Sequence, residues 1–224
     1  MRKVLVATAI AGLGVASYGV GIASAQGGPG LSCNGLAATI VGTDGDDVIE
    51  GTAEDDVIVG LDGNDEIFAS GGNDTICAGA GDDEVFGDDF AFEGGGADTI
   101  FGDNGNDFVV GLSGADTLHG GNGNDIAIGG PGNDVINGDR GDDVVMGAFG
   151  NDTLNGGLGD DFLNGDFPFP FPPPEEEVAP GAYQDPTPNS DACNGGSGLD
   201  ASTFCENESG VEEHPDPADV IIDG

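Results

Sequence analysis

Carboxylates at a fixed interval are the chemistry this sequence offers. Asp47, Asp56, Asp65, Asp74 and Asp83 follow one another every nine residues. After a fifteen-residue step the same phase resumes at Asp98, Asp107, Asp116, Asp125, Asp134, Asp143, Asp152 and Asp161. The residue two places before each is glycine, except at Glu54, and the residue two places after is always aliphatic, from Ile49 through Ala127 to Leu163. Glycine permits a tight turn with positive φ and lets a backbone carbonyl approach an ion. A carboxylate beside accessible carbonyls is a donor set for a hard cation. Ca²⁺, which accepts about six to eight oxygens, suits it better than Mg²⁺, which keeps its waters in a tight octahedron. Transition metals lack ligands, since His119 and His214 are the two histidines and the four thiols are not clustered. The expected metal-site residues are the thirteen aspartates and the turn glycines Gly105, Gly114, Gly123, Gly132, Gly141 and Gly150. The aspartates read as ionised and solvent-facing, the wrong state for general acid catalysis.

One aliphatic residue in nine suits a very short strand and does not match helical periodicity. Each unit therefore reads as a six-residue turn followed by a three-residue strand, and the fold class is all-β. The fifteen-residue step places a six-residue insertion over Gly87 to Phe92. Strict phase across thirteen units argues against a merely low-complexity tract. The pattern is weakest where Glu54 replaces the turn glycine, where Ala69, Ala78 and Glu93 replace the leading glycine, and where Ala127 supplies only a methyl group. Ions beside Asp56, Asp74, Asp83 and Asp98 are the least supported.

The chain resembles the RTX, or haemolysin-type, calcium-binding repeat proteins, whose unit is GGxGxDxUx with U large and aliphatic. Gly129-Gly130-Pro131-Gly132-Asn133-Asp134-Val135-Ile136-Asn137 matches every fixed position. The resemblance covers residues 42 to 164 and implies a right-handed parallel β-roll of about thirteen repeats, two to a turn, with Ca²⁺ held between stacked turns. Asp107, Asp125, Asp143 and Asp161 would then line one edge, and Asp98, Asp116, Asp134 and Asp152 the other, with neighbours about 4.8 Å apart. Carboxylates at that spacing repel by roughly 1–4 kcal/mol per pair, so a divalent ion is expected between them. Bridging repeats i and i+2 predicts roughly ten ions, the higher count applying if the roll continues across the insertion. So little core is available that metal binding and folding should be inseparable.

The formal charge is -40, and Arg2, Lys3 and Arg140 are the only Lys or Arg residues. Such a chain repels phosphate, which excludes nucleic acid as a natural partner. Arg2 and Lys3, the apolar run from Val4 to Ile22 and Ala23-Ser24-Ala25 have the layout of a signal peptide over residues 1–25, so the expected location is secreted and extracellular. A lead-in (26–41), the roll (42–164) and an irregular, acidic, Pro-rich tail (165–224) follow, with no further membrane-spanning stretch. Four cysteines in an exported chain allow three disulfide connectivities. Cys33 with Cys77 and Cys193 with Cys205 is favoured, the latter closing a degenerate repeat with Ser202 at the aliphatic position; free buried thiols are the alternative. Phe167 to Glu177 reads as an extended spacer or a docking segment for a Pro-reading partner, and Phe90 and Phe92 as local packing or a contact patch. No HExxH, GxSxG or Lys-bearing P-loop occurs, and no enzyme is expected. The leading reading is an exported calcium-binding roll that folds on binding its ions. The alternatives are a calcium-dependent interaction protein with a cell-envelope or matrix partner, using the roll as a stalk, and a non-catalytic remnant or accessory part of an exoenzyme.

Overall fold

The computed structural model describes residues 21–22, 30–88, 95–166, 192–197, 201–203 and 207–209. The expected signal peptide apart from Gly21–Ile22, the Phe–Pro segment, Phe90, Phe92, Cys205 and His214 lie outside them. Two nine-stranded parallel sheets carry the fold. The first contains Gly21–Ile22, Asp47–Glu50, Glu66–Phe68, Glu84–Phe86, Phe108–Val110, Ile126–Pro131, Val144–Phe149, Phe162–Asp166 and Ala201–Thr203. The second contains Ile40–Val41, Val57–Asp62, Thr75–Ala80, Thr99–Asn104, Thr117–Asn122, Val135–Arg140, Thr153–Leu158, Ala192–Ser197 and Asn207–Ser209. Successive repeats alternate between the sheets, so two repeats complete one turn of a β-roll. No helix occurs among the described residues.

Register confirms that every second repeat stacks. Ile100 lies opposite Leu118, Leu118 opposite Ile136, and Ile136 opposite Leu154. Val109, Ala127, Val145 and Leu163 form the same file on the other sheet. Across the insertion the offset lengthens from 18 to 24 residues, with Ile76 opposite Ile100 and Val85 opposite Val109, so the roll is continuous. Gly87 is not part of the insertion. Its N–H donates to Val110 O just as that of Gly111 donates to Ile128 O, and the extra residues leave the turn only after it.

The aliphatic positions form the core, Ile49, Ile58, Ile67, Ile76, Val85, Ile100, Val109, Leu118, Ile136, Val145, Leu154 and Leu163 being fully buried. The core also runs beyond the expected ends at 42 and 164. Ile40, nine residues before Ile49, packs opposite Ile58. Cys193 packs opposite Leu154, and Ser202 falls opposite Leu163. The tail is therefore not irregular throughout: Ala192–Ser197, Ala201–Thr203 and Asn207–Ser209 extend the sheets. Cys33 and Cys77 form the expected disulfide, tying the hairpin Ser32–Cys33/Leu36–Ala37 to the second sheet. Cys193 is also disulfide-bonded.

Many strands are six residues long where three were expected. Pairing resumes beyond the leading glycine, with Phe101 opposite His119 and then Asp103 opposite Gly121. The bend requires positive φ one place after that glycine, whether the residue is Gly121 (114°), Leu112 (71°), Asp139 (73°) or Ala148 (82°). Left-handed backbone at a non-glycine residue costs roughly 1–2 kcal/mol, which the stacked turns on either side must outweigh.

The two outer faces differ. Phe68, Phe86, Val110, Ile128 and Met146 form one file on the first sheet, and Phe108, Ile126, Val144 and Phe162 another. Phe68 and Phe86 stack at 5.2 Å. The second sheet mixes Thr99, Thr117, Thr153, Asn137 and Asn155 with the apolar Val57, Phe101 and Val135, the last 41% exposed.

A Cβ at Gly123 would overlap the Gly105 carbonyl oxygen of the previous turn, whereas one at Gly45, the same place in the first repeat, meets nothing within 4 Å. Gly123→Ala is expected to lower stability by at least about 1–3 kcal/mol, and Gly45→Ala to change it by less than about 0.5 kcal/mol. Urea unfolding of both variants in saturating calcium checks this; equal losses would remove turn stacking as the cause.

Candidate metal centre

The repeat aspartates stand in two ladders, one on each edge of the roll, and they are buried, not solvent-facing. Asp74, Asp98, Asp116, Asp125, Asp134, Asp143 and Asp152 are each 1% exposed. The cause is hydrogen bonding. Asp125 Oδ1 accepts the N–H of Asp107 at 2.8 Å, Asp143 Oδ1 that of Asp125 at 2.8 Å, and Asp161 Oδ1 that of Asp143 at 2.9 Å. On the other edge Asp116, Asp134 and Asp152 accept from Asp98, Asp116 and Asp134 at 2.8–2.9 Å. The ladders cross the insertion through Asp74 N–H to Asp98 and Asp83 N–H to Asp107, both 2.9 Å. The spacing predicts an ion between neighbouring carboxylates, but one oxygen of each of these is committed to the neighbouring backbone.

The second oxygen is different. In Asp65, Asp74, Asp83, Asp98, Asp107, Asp116, Asp125, Asp134 and Asp143, Oδ2 is buried and has no hydrogen-bond partner. Except in Asp74 and Asp83, whose leading residues are alanines, it faces the leading glycine of the repeat. A Cβ at Gly120 would stand 2.6 Å from Asp125 Oδ2 and 2.7 Å from the Gly138 carbonyl oxygen. One at Gly138 would stand 2.5 Å from both Asp143 Oδ2 and the Gly156 carbonyl oxygen. A carboxylate and a carbonyl of the next turn thus converge on a hollow that exists because glycine lacks Cβ. Among the described residues no three acidic, imidazole or thiol side chains gather as a metal cluster, so a cation here draws on backbone carbonyls. A carboxylate oxygen beside a backbone carbonyl is the kind of hard-oxygen donor pair that Ca²⁺ takes.

These leading glycines were missed as site residues, although they recur almost as strictly as the aspartates. Of the glycines expected at the site, Gly105, Gly114, Gly123, Gly141 and Gly150 adopt positive φ and, with Gly132, serve the close stacking of turns. The weak positions separate on inspection. Ala69 and Ala78 are fully buried at the leading position before Asp74 and Asp83, where a methyl group takes space that glycine leaves open. Asp56 Oδ2 accepts the N–H and hydroxyl of Thr52, both at 2.8 Å, and Asp47 Oδ2 accepts the Thr43 N–H. Asp98 keeps its hollow, because Gly87 takes the leading place in register where Glu93 stands by sequence count.

Burial sets the electrostatics. It pushes the Asp98, Asp107 and Asp134 carboxyls up to about 8, those of Asp74, Asp83 and Asp143 to about 7, and those of Asp116 and Asp125 to about 6. The ladder N–H opposes the rise in each case, and neighbouring carboxylates add to it. A second ladder, unread in the sequence, runs one residue earlier: Asn124 N–H donates to Asn106 Oδ1, Asp142 N–H to Asn124 Oδ1 and Asp160 N–H to Asp142 Oδ1, at 2.9–3.0 Å. Its signal was the Asn or Asp that precedes most repeat aspartates. His119 stands apart on the second sheet, 3.1 Å from Asp139 and stacked on Phe101.

The sequence profile of the RTX calcium-binding nonapeptide repeat matches residues 41–76, 60–91, 92–127, 110–145, 119–154 and 138–167. No curated protein matches the chain.

The raised carboxyls fix a pH dependence. The folded state binds more protons than the unfolded one between about pH 4 and pH 8, so metal-free stability falls as pH rises through that window. In excess EDTA, far-UV circular dichroism should show more β structure near pH 5 than near pH 8. Calcium requires the deprotonated oxygen, so millimolar calcium should reverse the order. A metal-free β signal independent of pH would contradict the buried-ladder electrostatics.

Proposed function

Because the chain belongs to the RTX calcium-binding nonapeptide repeat family, we propose that it is an exported, non-catalytic calcium-binding β-roll that folds as its ions bind. The observation that carries this reading is the file of buried, unpartnered Asp Oδ2 atoms facing glycine hollows between stacked turns. Each would be costly without a cation or a proton. The repeat aspartates and the carbonyls around the leading glycines are the proposed ligands. Continuity across the insertion favours the upper end of roughly ten ions, reduced where Thr52, Ala69 and Ala78 encroach on the hollows. Extracellular modules of this kind work at about 10⁻⁴ to 10⁻³ M calcium. A chain with these sites would remain unfolded in a low-calcium cytosol and fold after export.

One observation favours the interaction-protein reading as a second. The outer face of the first sheet is mostly apolar from Phe68 to Phe162, interrupted by Glu84, and Ile126 and Phe162 are 38% and 39% exposed. On that reading, Ile126→Lys should abolish calcium-dependent retention on cell envelope, whereas Asn137→Lys on the opposite sheet should not.

The decisive measurement for the leading reading is a calcium titration of residues 26 to 224, followed by circular dichroism with calorimetric stoichiometry. A coil-to-β transition near millimolar calcium with roughly ten ions bound is expected. No transition and no heat of binding would leave an acidic spacer.

A further inference from the structure

The insertion leaves the roll directly after Gly87, and its first residue, Asp88, turns inward. It is 3% exposed, as buried as the repeat aspartates, although it belongs to neither ladder. Its Oδ1 accepts the Gly96 N–H at 3.3 Å. A Cβ placed at Gly95 would overlap both Asp88 Oδ2 and the Ser113 carbonyl oxygen. A Cβ at the adjoining Gly87 would overlap Asp98 Oδ2 and stand 2.7 Å from the Gly111 carbonyl oxygen. Asp98 and Asp116, each 1% exposed, both have an Oδ2 without a partner here. The charge on Asp88 raises the carboxyls of Asp74, Asp98 and Asp116, so all three feel it across the same stack of turns. Beside Gly102, Gly111, Gly120, Gly129 and Gly138, as beside Gly87, the carboxylate is that of the repeat aspartate; Asp88 adds a further one beside Gly95.

We propose that Asp88 makes the hollow beside Asp98 a two-carboxylate Ca²⁺ site, completed by the Gly111 and Ser113 carbonyls, and that this site fills before the others. This rests on the calcium reading of the roll. A second formal negative charge in a water-poor hollow strengthens attraction to a divalent ion, and additional carboxylates are how oxygen sites raise calcium affinity. The first ion would order the middle of the roll, where the insertion separates its two blocks, and so provide an edge on which turns stack in both directions.

The test is calorimetric titration of residues 26 to 224 with calcium chloride, alongside Asp88→Asn and a control, Asp62→Asn, whose side chain lies on the exposed outside of the second sheet. The wild type should bind one ion at least tenfold more tightly than the rest. Asp88→Asn should lose that phase and keep the weaker sites and the saturated circular dichroism signal, while Asp62→Asn should match the wild type. Superimposable isotherms for Asp88→Asn and wild type would overturn the proposal while leaving the calcium reading intact; no binding by any chain would sink both. Hydrogen exchange on the wild type at sub-saturating calcium provides a readout independent of the variant. Amides of Gly96–Thr99 and Gly114–Thr117 should gain protection before those of Gly150–Thr153. The opposite order, or simultaneous protection, would reject early filling.

Discussion

The structure turns on a conflict within each repeat aspartate from Asp65 onward. Its Oδ1 must enter the roll to accept the backbone N–H of the turn below, and in doing so it carries Oδ2 and the negative charge out of water. The hydrogen bond favours stacking, while desolvation and the neighbouring carboxylates oppose it. Because the opposing effects repeat at every turn, the roll depends on whatever neutralises the ladders, a proton or a cation. On the proposed reading, folding and ion binding form one equilibrium for this reason, and the thin aliphatic core is not required to hold the fold alone.

Glycine makes that arrangement sterically feasible in two separate ways. At the fourth place of the repeat it allows the backbones of successive turns to approach, as Gly123 does over Gly105. At the first place it opens the hollow in which a carboxylate and a carbonyl meet, as Gly120 does between Asp125 and Gly138. Where the first place carries Ala69 or Ala78 the stacking survives but the hollow narrows. Loss of an individual ion site need not therefore mean loss of the fold.

The two sheets share a core and differ outside. The second sheet mixes Thr and Asn with Val57, Phe101 and Val135, whereas the Phe, Ile, Val and Met files on the first are the more continuous apolar surface on a chain of charge -40. The departures from regularity follow the same division between inside and outside. Ile40 and Cys193 extend the core file at its ends, while the insertion at 88 lengthens one turn without disturbing either file.

Periodicity alone disclosed the all-β class, the phase of the thirteen aspartates, the inward aliphatic file and the suitability of calcium, because a short strand exposes its spacing directly in residue types. Cysteine count left three connectivities, among which Cys33 with Cys77 was favoured and is the one the structure holds. Burial of the aspartates was not legible, since a charged residue reads as solvated until the N–H that draws it inward is known to lie eighteen residues away. The same holds for Gly87, which sequence count places inside the insertion and hydrogen bonding returns to the ladder, and for Asp88, whose carboxylate joins the centre only through contacts with Gly96 and Ser113. Repetition along the chain is a local property, but which oxygen of a carboxylate is satisfied and which is left for an ion depends on the turn stacked above it.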